Sequence, residues 1–146
     1  MNYQHTQWGK VIVGVMMVIF ILTGLYLAGV WTSSPVKVSI LLAVFVLLSF
    51  FVSLTTEIKG GNLRCSFGFG FIRRSIAVSD ISDAKSVRNP WLSGWGIRWW
   101  PGRYWLWNVS GYQAVELVLQ DGKRFRIGTD KPGTLVHAIR ESKKLL

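Results

Sequence analysis

Charge is almost absent from the first third of this chain. Residues 11–54 carry one ionised side chain, Lys37, and all 7 acids lie beyond them. That scarcity excludes a soluble N-terminal third, because no helical register of these residues has a polar face. The apolar runs also lack ionisable or helix-breaking features of the kind that build a pore or a coupled transporter. Cysteine is limited to Cys65, so no disulfide framework holds the fold, as suits a reducing compartment. Histidine is limited to His5, read as part of a tail, and His137, read as helical. Neither has a carboxylate or thiol at ligand spacing, so a metal site is not expected. Gly68-Phe-Gly70 lacks the Lys-Ser/Thr that follows a phosphate loop. Asp80 and Asp83 read most simply as turn-capping residues. The chain is therefore not read as an enzyme, and no cofactor is expected.

What is present begins with two apolar runs, residues 11–30 and 36–54, separated by Trp31-Thr-Ser-Ser-Pro-Val-Lys37. The first spans ~30 Å as a helix and the second nearly matches it. A cleavable signal is excluded, since the run is too long, Ala28-Gly-Val-Trp31 is a poor cleavage site and a second apolar run follows at once. The sequence thus predicts a short tail and a transmembrane helical hairpin over residues 1–54, then a separate domain over 55–146. Lys10 and Lys37 are the only cations before residue 55, whereas Lys59, Arg64, Arg73 and Arg74 follow soon after the second run. The positive-inside rule then puts both termini and the domain in the cytoplasm, as a multi-pass protein. Trp8 and Trp31 bracket the first span, where interfacial aromatics are favoured. The connecting loop is too short for the helices to separate, and small residues permit close approach. Contact is expected between the pairs Gly24/Ala28 and Ser39/Ala43, and between Gly14 and Ser53.

Beyond residue 54 lie 15 of the 17 Lys+Arg and all 7 Asp+Glu, a net charge of +8. About 90 residues suit one small domain with a single core. Leu63, Cys65 and Phe67 alternate with Arg64 and Ser66, as in a half-buried strand after the Lys59-Gly-Gly-Asn62 turn. Further strands are expected over residues 54–58, 71–74, 82–88, 104–109, 114–119 and 123–128. In the last hairpin a two-residue turn would pair Leu117 with Arg126 and put a charge on the core face. A three-residue Gln-Asp-Gly122 loop pairs Leu117 with Phe125 instead, and places Glu116 opposite Arg126 as an exposed ion pair. A terminal helix follows, capped by Thr129 or Asp130, with Pro132 in its first turn and Leu135, Val136 and Ile139 as its apolar stripe. Lys143 and Lys144 complement its dipole. The expected domain is α+β: about seven strands in a partly open antiparallel barrel, closed by a C-terminal capping helix.

The words Gly94-Trp-Gly-Ile-Arg98, Asn108-Val-Ser-Gly-Tyr-Gln-Ala-Val-Glu-Leu117 and Asp121-Gly-Lys-Arg-Phe-Arg-Ile-Gly-Thr-Asp130 resemble the bacterial pleckstrin-homology-like (PH-like) domain. The whole chain is similar to small bacterial membrane proteins that place such a domain after two spans. The resemblance implies two near-orthogonal sheets capped by a helix, a non-catalytic binding role and residence in the bacterial inner membrane. Superfamily members that bind phosphoinositides use a basic first hairpin loop. Here that loop is Lys59-Gly-Gly-Asn62, with one Lys, so phosphoinositide binding is not implied.

Two constellations invite a functional reading. Trp91, Trp95, Trp99, Trp100, Trp105 and Trp107 lie within 17 residues, interleaved with Arg98 and Arg103. Three readings stay open: core packing, a membrane-touching surface, or an aromatic groove for a ligand. The binding surface is expected at Arg98, Trp99, Trp100, Arg103 and Trp105, around the exposed Pro101-Gly102 turn. Lys59, Arg73 and Arg74 are expected near the anionic leaflet, each worth about 1 kcal/mol of attraction. The basic residues are scattered without a nucleic-acid motif, so nucleic acid is not an expected partner. The expected function is a membrane-anchored scaffold that presents a basic, Trp-rich surface to lipid headgroups or a partner protein. The alternative is a self-association module building a membrane homo-oligomer.

Overall fold

The computed structural model describes residues 2–29 and 34–145, so the expected interfacial seat of Trp31 lies outside the described residues. The chain opens with a strand where a tail was expected. Strand β1 (Tyr3–Trp8) pairs antiparallel with β2 (Ser53–Lys59), from Tyr3↔Ile58 to Trp8↔Ser53. Thr6 and Thr55 hydroxyls meet at 2.8 Å across this pair, and His5 Nε2 lies 2.5 Å from Asp130 Oδ1. Between the two strands run helices α1 (Lys10–Leu27) and α2 (Pro35–Ser49). The helical pair is therefore an insertion into a β-hairpin, closed at its base by Gly9 N donating to Val52 O at 2.8 Å. Among the described residues, α1 alone is long and apolar enough to cross a membrane; α2 has 15 residues. Ser53 and Leu54, expected at the end of the second span, are buried strand residues, so the expected Gly14–Ser53 contact does not form.

Helix α2 starts where its chemistry directs. Ser34 is the N-cap, its Oγ accepting from Lys37 N at 3.4 Å, and Pro35 fills the first turn, where its missing N–H costs nothing. The two helices do not meet through small residues. On α1 the buried residues are Ile12, Ile19 and Thr23; on α2 the partly covered apolar ones are Val38, Leu41, Phe45 and Leu48, at the spacing of a packed helical seam. Gly24, Ala28, Ser39 and Ala43 are exposed, and a Cβ added at Gly14 or Gly24 would meet nothing within 4 Å. Bulky side chains make the seam, Gly24 borders an open groove beside it with Leu42 and Phe45, and Ala28, Ser39 and Ala43 stay exposed, so the small residues do not bring the helices together as expected.

The first sheet is the meander β1-β2-β3-β4, with β3 at Asn62–Phe67 and β4 at Ile72–Ala77. Gly60 and Gly61, at φ 55° and 72°, make the two-residue turn that joins β2 to β3. The second sheet contains β5 (Ile81–Arg88), β6 (Gly96–Trp100), β7 (Tyr104–Asn108), β8 (Gln113–Leu119) and β9 (Arg124–Gly128), in the order β5-β8-β9-β7-β6. All its pairs are antiparallel except β7 with β9, which run parallel. The domain is α+β, with two sheets and a C-terminal helix as expected, but it has nine strands where about seven were expected, one pair is parallel, and no closed barrel forms among the described residues. The β8–β9 register is the expected one: Leu117 pairs with Phe125, Glu116 with Arg126, and Gly122 takes φ 81°.

Helix α3 (Pro132–Lys144) closes the domain by burying Leu135, Ala138 and Ile139, with Val136 partly covered. Neither expected residue caps it. Lys131 occupies the cap, Thr129 Oγ1 accepts from Lys131 N at 3.2 Å, and Asp130 is held by His5. Lys143 Nζ reaches Ile81 O at 2.7 Å, pinning the last turn to β5. The core joins Leu54, Ile58, Leu63, Cys65 and Phe67 from the first sheet to Trp107, Val115, Leu117, Phe125 and Ile127 from the second. Cys65 is an inert core residue, its thiol pushed up to about 12 by burial.

Candidate functional site

Because β5 and β6 lie on opposite edges of the second sheet, the segment joining them must cross that sheet. Residues 89–95 do so on its outer face. Asn89 N donates to Tyr112 O at 2.6 Å at one end, and Asn108 Nδ2 donates to Gly94 O at 3.3 Å and Gly111 O at 3.0 Å at the other. The crossover buries its own Asn89 and Ser93 together with Leu106, Ala114 and Glu116, all on the side away from the core. Gly128 has no Cβ because Asn108 occupies that space.

Burial changes the reading of Glu116. Expected as half of an exposed pair, it lies beneath the crossover, with its Oε2 2.7 Å from Arg126 Nε and its Oε1 3.2 Å from Lys85 Nζ. Burial alone would raise its carboxyl, but hydrogen bonds from Arg126 and then Lys85 outweigh that and hold it below its ordinary value. Arg126 is fixed in turn. It donates to Asn89 Oδ1 at 3.2 Å, and its guanidinium lies 3.7 Å over the Tyr104 ring.

The Trp-rich residues divide between the two faces. Trp107 is core, in ring contact with Phe67 and Phe125. Trp105 and Trp99 continue the same face outward, their rings 6.1 Å apart and 42% and 61% exposed. Trp100 stands beside Tyr104 at 6.3 Å. Four of the five expected binding residues, Trp99, Trp100, Arg103 and Trp105, come together around a cleft of about 450 Å³ beside the Asp121-Gly122 turn. Arg98 is not among them: it stays exposed, its guanidinium beside Gly94 at the end of the crossover.

Register also decides which end of the domain faces the helices. Val109 O would lie 3.1 Å from a Cβ on Gly9, so the Asn108 end of β7 abuts the start of α1. Tyr104 and the turn that follows Trp100 are four residues away, about 13 Å along the strand. That turn, one open reading of which is membrane contact, is thus at the opposite end of β7 from the helical pair. Lys59 is likewise distant, at the far end of β2, about 20 Å from Ser53. Arg73 stays near the base, opposite Ser66, while Arg74 lies 4.8 Å over the Phe125 ring. What stands at the base is aromatic. Phe69 and Phe71 are exposed in the β3–β4 turn, 6.4 and 6.1 Å from the Phe50 ring at the end of α2, and Gly68 N donates to Ser53 O at 2.8 Å.

A second cleft, of about 660 Å³, lies on the outer face between Pro90 and the two distal turns, bordered by Arg88, Arg103, Tyr104, Arg124 and Arg126. Arg88 and Arg124 had no assigned role in the sequence reading. Strand alternation in Lys123-Arg-Phe-Arg126 puts Arg124 on the face of Arg126, but their meeting with Arg88 and Arg103 depends on the crossover. No protein-family model matches the chain, and a search of curated proteins finds no match.

Proposed function

We propose that this chain is a membrane-anchored, non-catalytic binding module of PH-like architecture, with its domain on the cytoplasmic side of a bacterial inner membrane. The observation that carries this reading is the insertion of α1 and α2 between paired strands. Trp8 and Ser53 are neighbours, so α1 starts where α2 ends. If α1 crosses a bilayer, the chain must return, and α2 is the segment available. At 15 residues α2 reaches ~22 Å, a mismatch that local thinning accommodates. The exposed apolar surfaces of both helices suit lipid, and Phe50, Phe69 and Phe71 at their base suit headgroup depth. The PH-like reading draws support from the four-stranded meander followed by a second sheet and a terminal helix. The extra β6–β7 hairpin departs from it.

This arrangement favours a partner in the cytoplasm for the Trp99–Trp105 surface, while the Phe cluster meets lipid. Cysteine labelling in intact cells and spheroplasts tests the topology, the native Cys65 being buried. A membrane-impermeant maleimide should label Ser34→Cys from outside and spare Lys59→Cys until the membrane is opened. External labelling of Lys59→Cys would overturn the reading. A second function, self-association in the membrane, is favoured by Gly24 and Ala28 facing outward. Gly24→Leu should then abolish cross-linked species in native membranes; a chain that yields only monomer, or an unaffected ladder, removes it.

A further inference from the structure

The outer-face cleft differs from the rest of the basic surface in what it gathers. Its four arginines arrive from three segments: Arg88 at the end of β5, Arg103 in the β6–β7 turn, and Arg124 and Arg126 on β9. The carboxylate bound to Arg126, Glu116, is already shared with Lys85. Among the described residues no ion pair engages Arg88, Arg103 or Arg124. Folding thus lines one cleft with three arginines that no described carboxylate pairs, beside the Glu116-bound Arg126, and like charges in one cleft repel. An anion in the cleft would offset that repulsion.

The donors have the form that selects phosphate. Guanidinium groups present planar forks that match phosphate oxygens two at a time. Arg126 is held at the floor by Glu116, Asn89 and the Tyr104 ring, so part of the site is ordered before a ligand arrives. Asn89, whose neighbours Arg88 and Pro90 both line the cleft, carries a buried Nδ2 donor with no hydrogen-bond partner. The volume suits a small phosphorylated group rather than a single monatomic ion.

We infer that this cleft is a binding site for a phosphomonoester or diphosphate group, gripped by Arg88, Arg103 and Arg124 above a fixed Arg126. The inference names the ligand class of the binding module proposed above. It depends on that reading of the second sheet and not on the direction of insertion in the membrane.

The test uses the full chain in nanodiscs of zwitterionic lipid, titrated calorimetrically with inorganic pyrophosphate against chloride at equal ionic strength. Saturable one-site binding is expected, weakened about tenfold by Arg103→Gln and by Arg124→Gln, each losing one charge-assisted contact. Lys144→Gln, on α3 and outside the cleft, should bind as the parent does. Both cleft residues are exposed, and an unchanged circular dichroism spectrum confirms that each variant folds. In nanodiscs containing phosphatidic acid, weakened pyrophosphate binding would identify a lipid headgroup as the occupant, and unchanged binding a soluble phosphate compound; both keep the site. Heat no greater than that of chloride, equal loss in Lys144→Gln, or uptake of polyglutamate with no response to pyrophosphate would overturn it. Because the discs supply a bilayer in every arm, failure here leaves the labelling test of topology untouched.

Discussion

Replacing Glu116 with alanine removes the carboxylate that neutralises Arg126 beneath the crossover, and the cost can be worked from the contacts. The Glu116 side chain is 2% exposed, Arg126 15% and Lys85 50%. Arg126 reaches one carboxylate oxygen through both Nε and Nη2 at 2.7 Å. Breaking a buried pair from one side costs about 3–5 kcal/mol, because the remaining charge has lost its partner without regaining water. Arg126 keeps Asn89 and the Tyr104 ring, which argues for the lower end, about 3 kcal/mol. The half-exposed Lys85 arm is screened, so Lys85→Ala should cost under ~1 kcal/mol.

A domain of this kind stands on about 5–15 kcal/mol, so Glu116→Ala should still fold. Urea unfolding of the full chain in mild detergent, followed by tryptophan emission, measures the difference. The pH dependence has a definite sign. The folded carboxyl is depressed, so its contribution is present above the ordinary glutamate value and is lost as pH falls through the lower folded value. The gap between parent and Glu116→Gln should therefore close in acid and stay constant near neutrality. If Glu116→Ala lies within ~1 kcal/mol of the parent, or Lys85→Ala costs as much, the buried-pair argument fails.

At Gly68, a Cβ would sit 2.6 Å from Phe50 O and the residue holds φ 47°, so Gly68→Ala should cost about 2 kcal/mol or more. Gly70→Ala, also at positive φ but in open space, should cost only about 1 kcal/mol by thermal unfolding; equal losses would refute the close approach. His5→Ala should speed amide exchange in β1. It should also move the Asp130 carboxyl, which burial raises but the His5 bond holds below its ordinary value, back upward in an NMR titration. Cys65 should resist a soluble disulfide reagent at mildly alkaline pH until the domain is unfolded, and rapid reaction of the folded chain would contradict its burial.

Local patterns were legible where a strand's partner lies close in sequence. Alternation in Leu63, Cys65 and Phe67 gave a core strand, and loop length with Gly122 gave the β8–β9 register. Strand β1 was hidden because Tyr-Gln-His-Thr-Gln-Trp has no apolar alternation and finds its partner only across the helical insertion. Strand β6 was hidden because Ile97, Arg98, Trp99 and Trp100 show no period of two, and as an edge strand it has a neighbour on one side only. The candidate site suffered from the same limit. Tryptophan and arginine in residues 91–107 marked a surface, but which of them meet depends on a crossover set by strand order. Local alternation makes Glu116 an outward-facing residue; only the crossover turns outward into buried.

The same nonlocal pairing bears on the anchor. Hydropathy treats residues 11–30 and 36–54 as two independent spans, whereas β1–β2 pairing ties their outer ends together. Opposite sides of a bilayer for residues 8 and 53 would require breaking six paired positions of that sheet, along with the His5–Asp130 contact. The proposed return of the chain through α2 therefore rests on the β1–β2 pairing, independently of how apolar α2 is or how many charges flank it. Within the proposed anchor, this pairing leaves two crossings as the arrangement consistent with the sheet, and the exposed Phe20, Leu27, Ile40 and Leu47 suit lipid there; external labelling of Ser34→Cys is the outcome that arrangement requires.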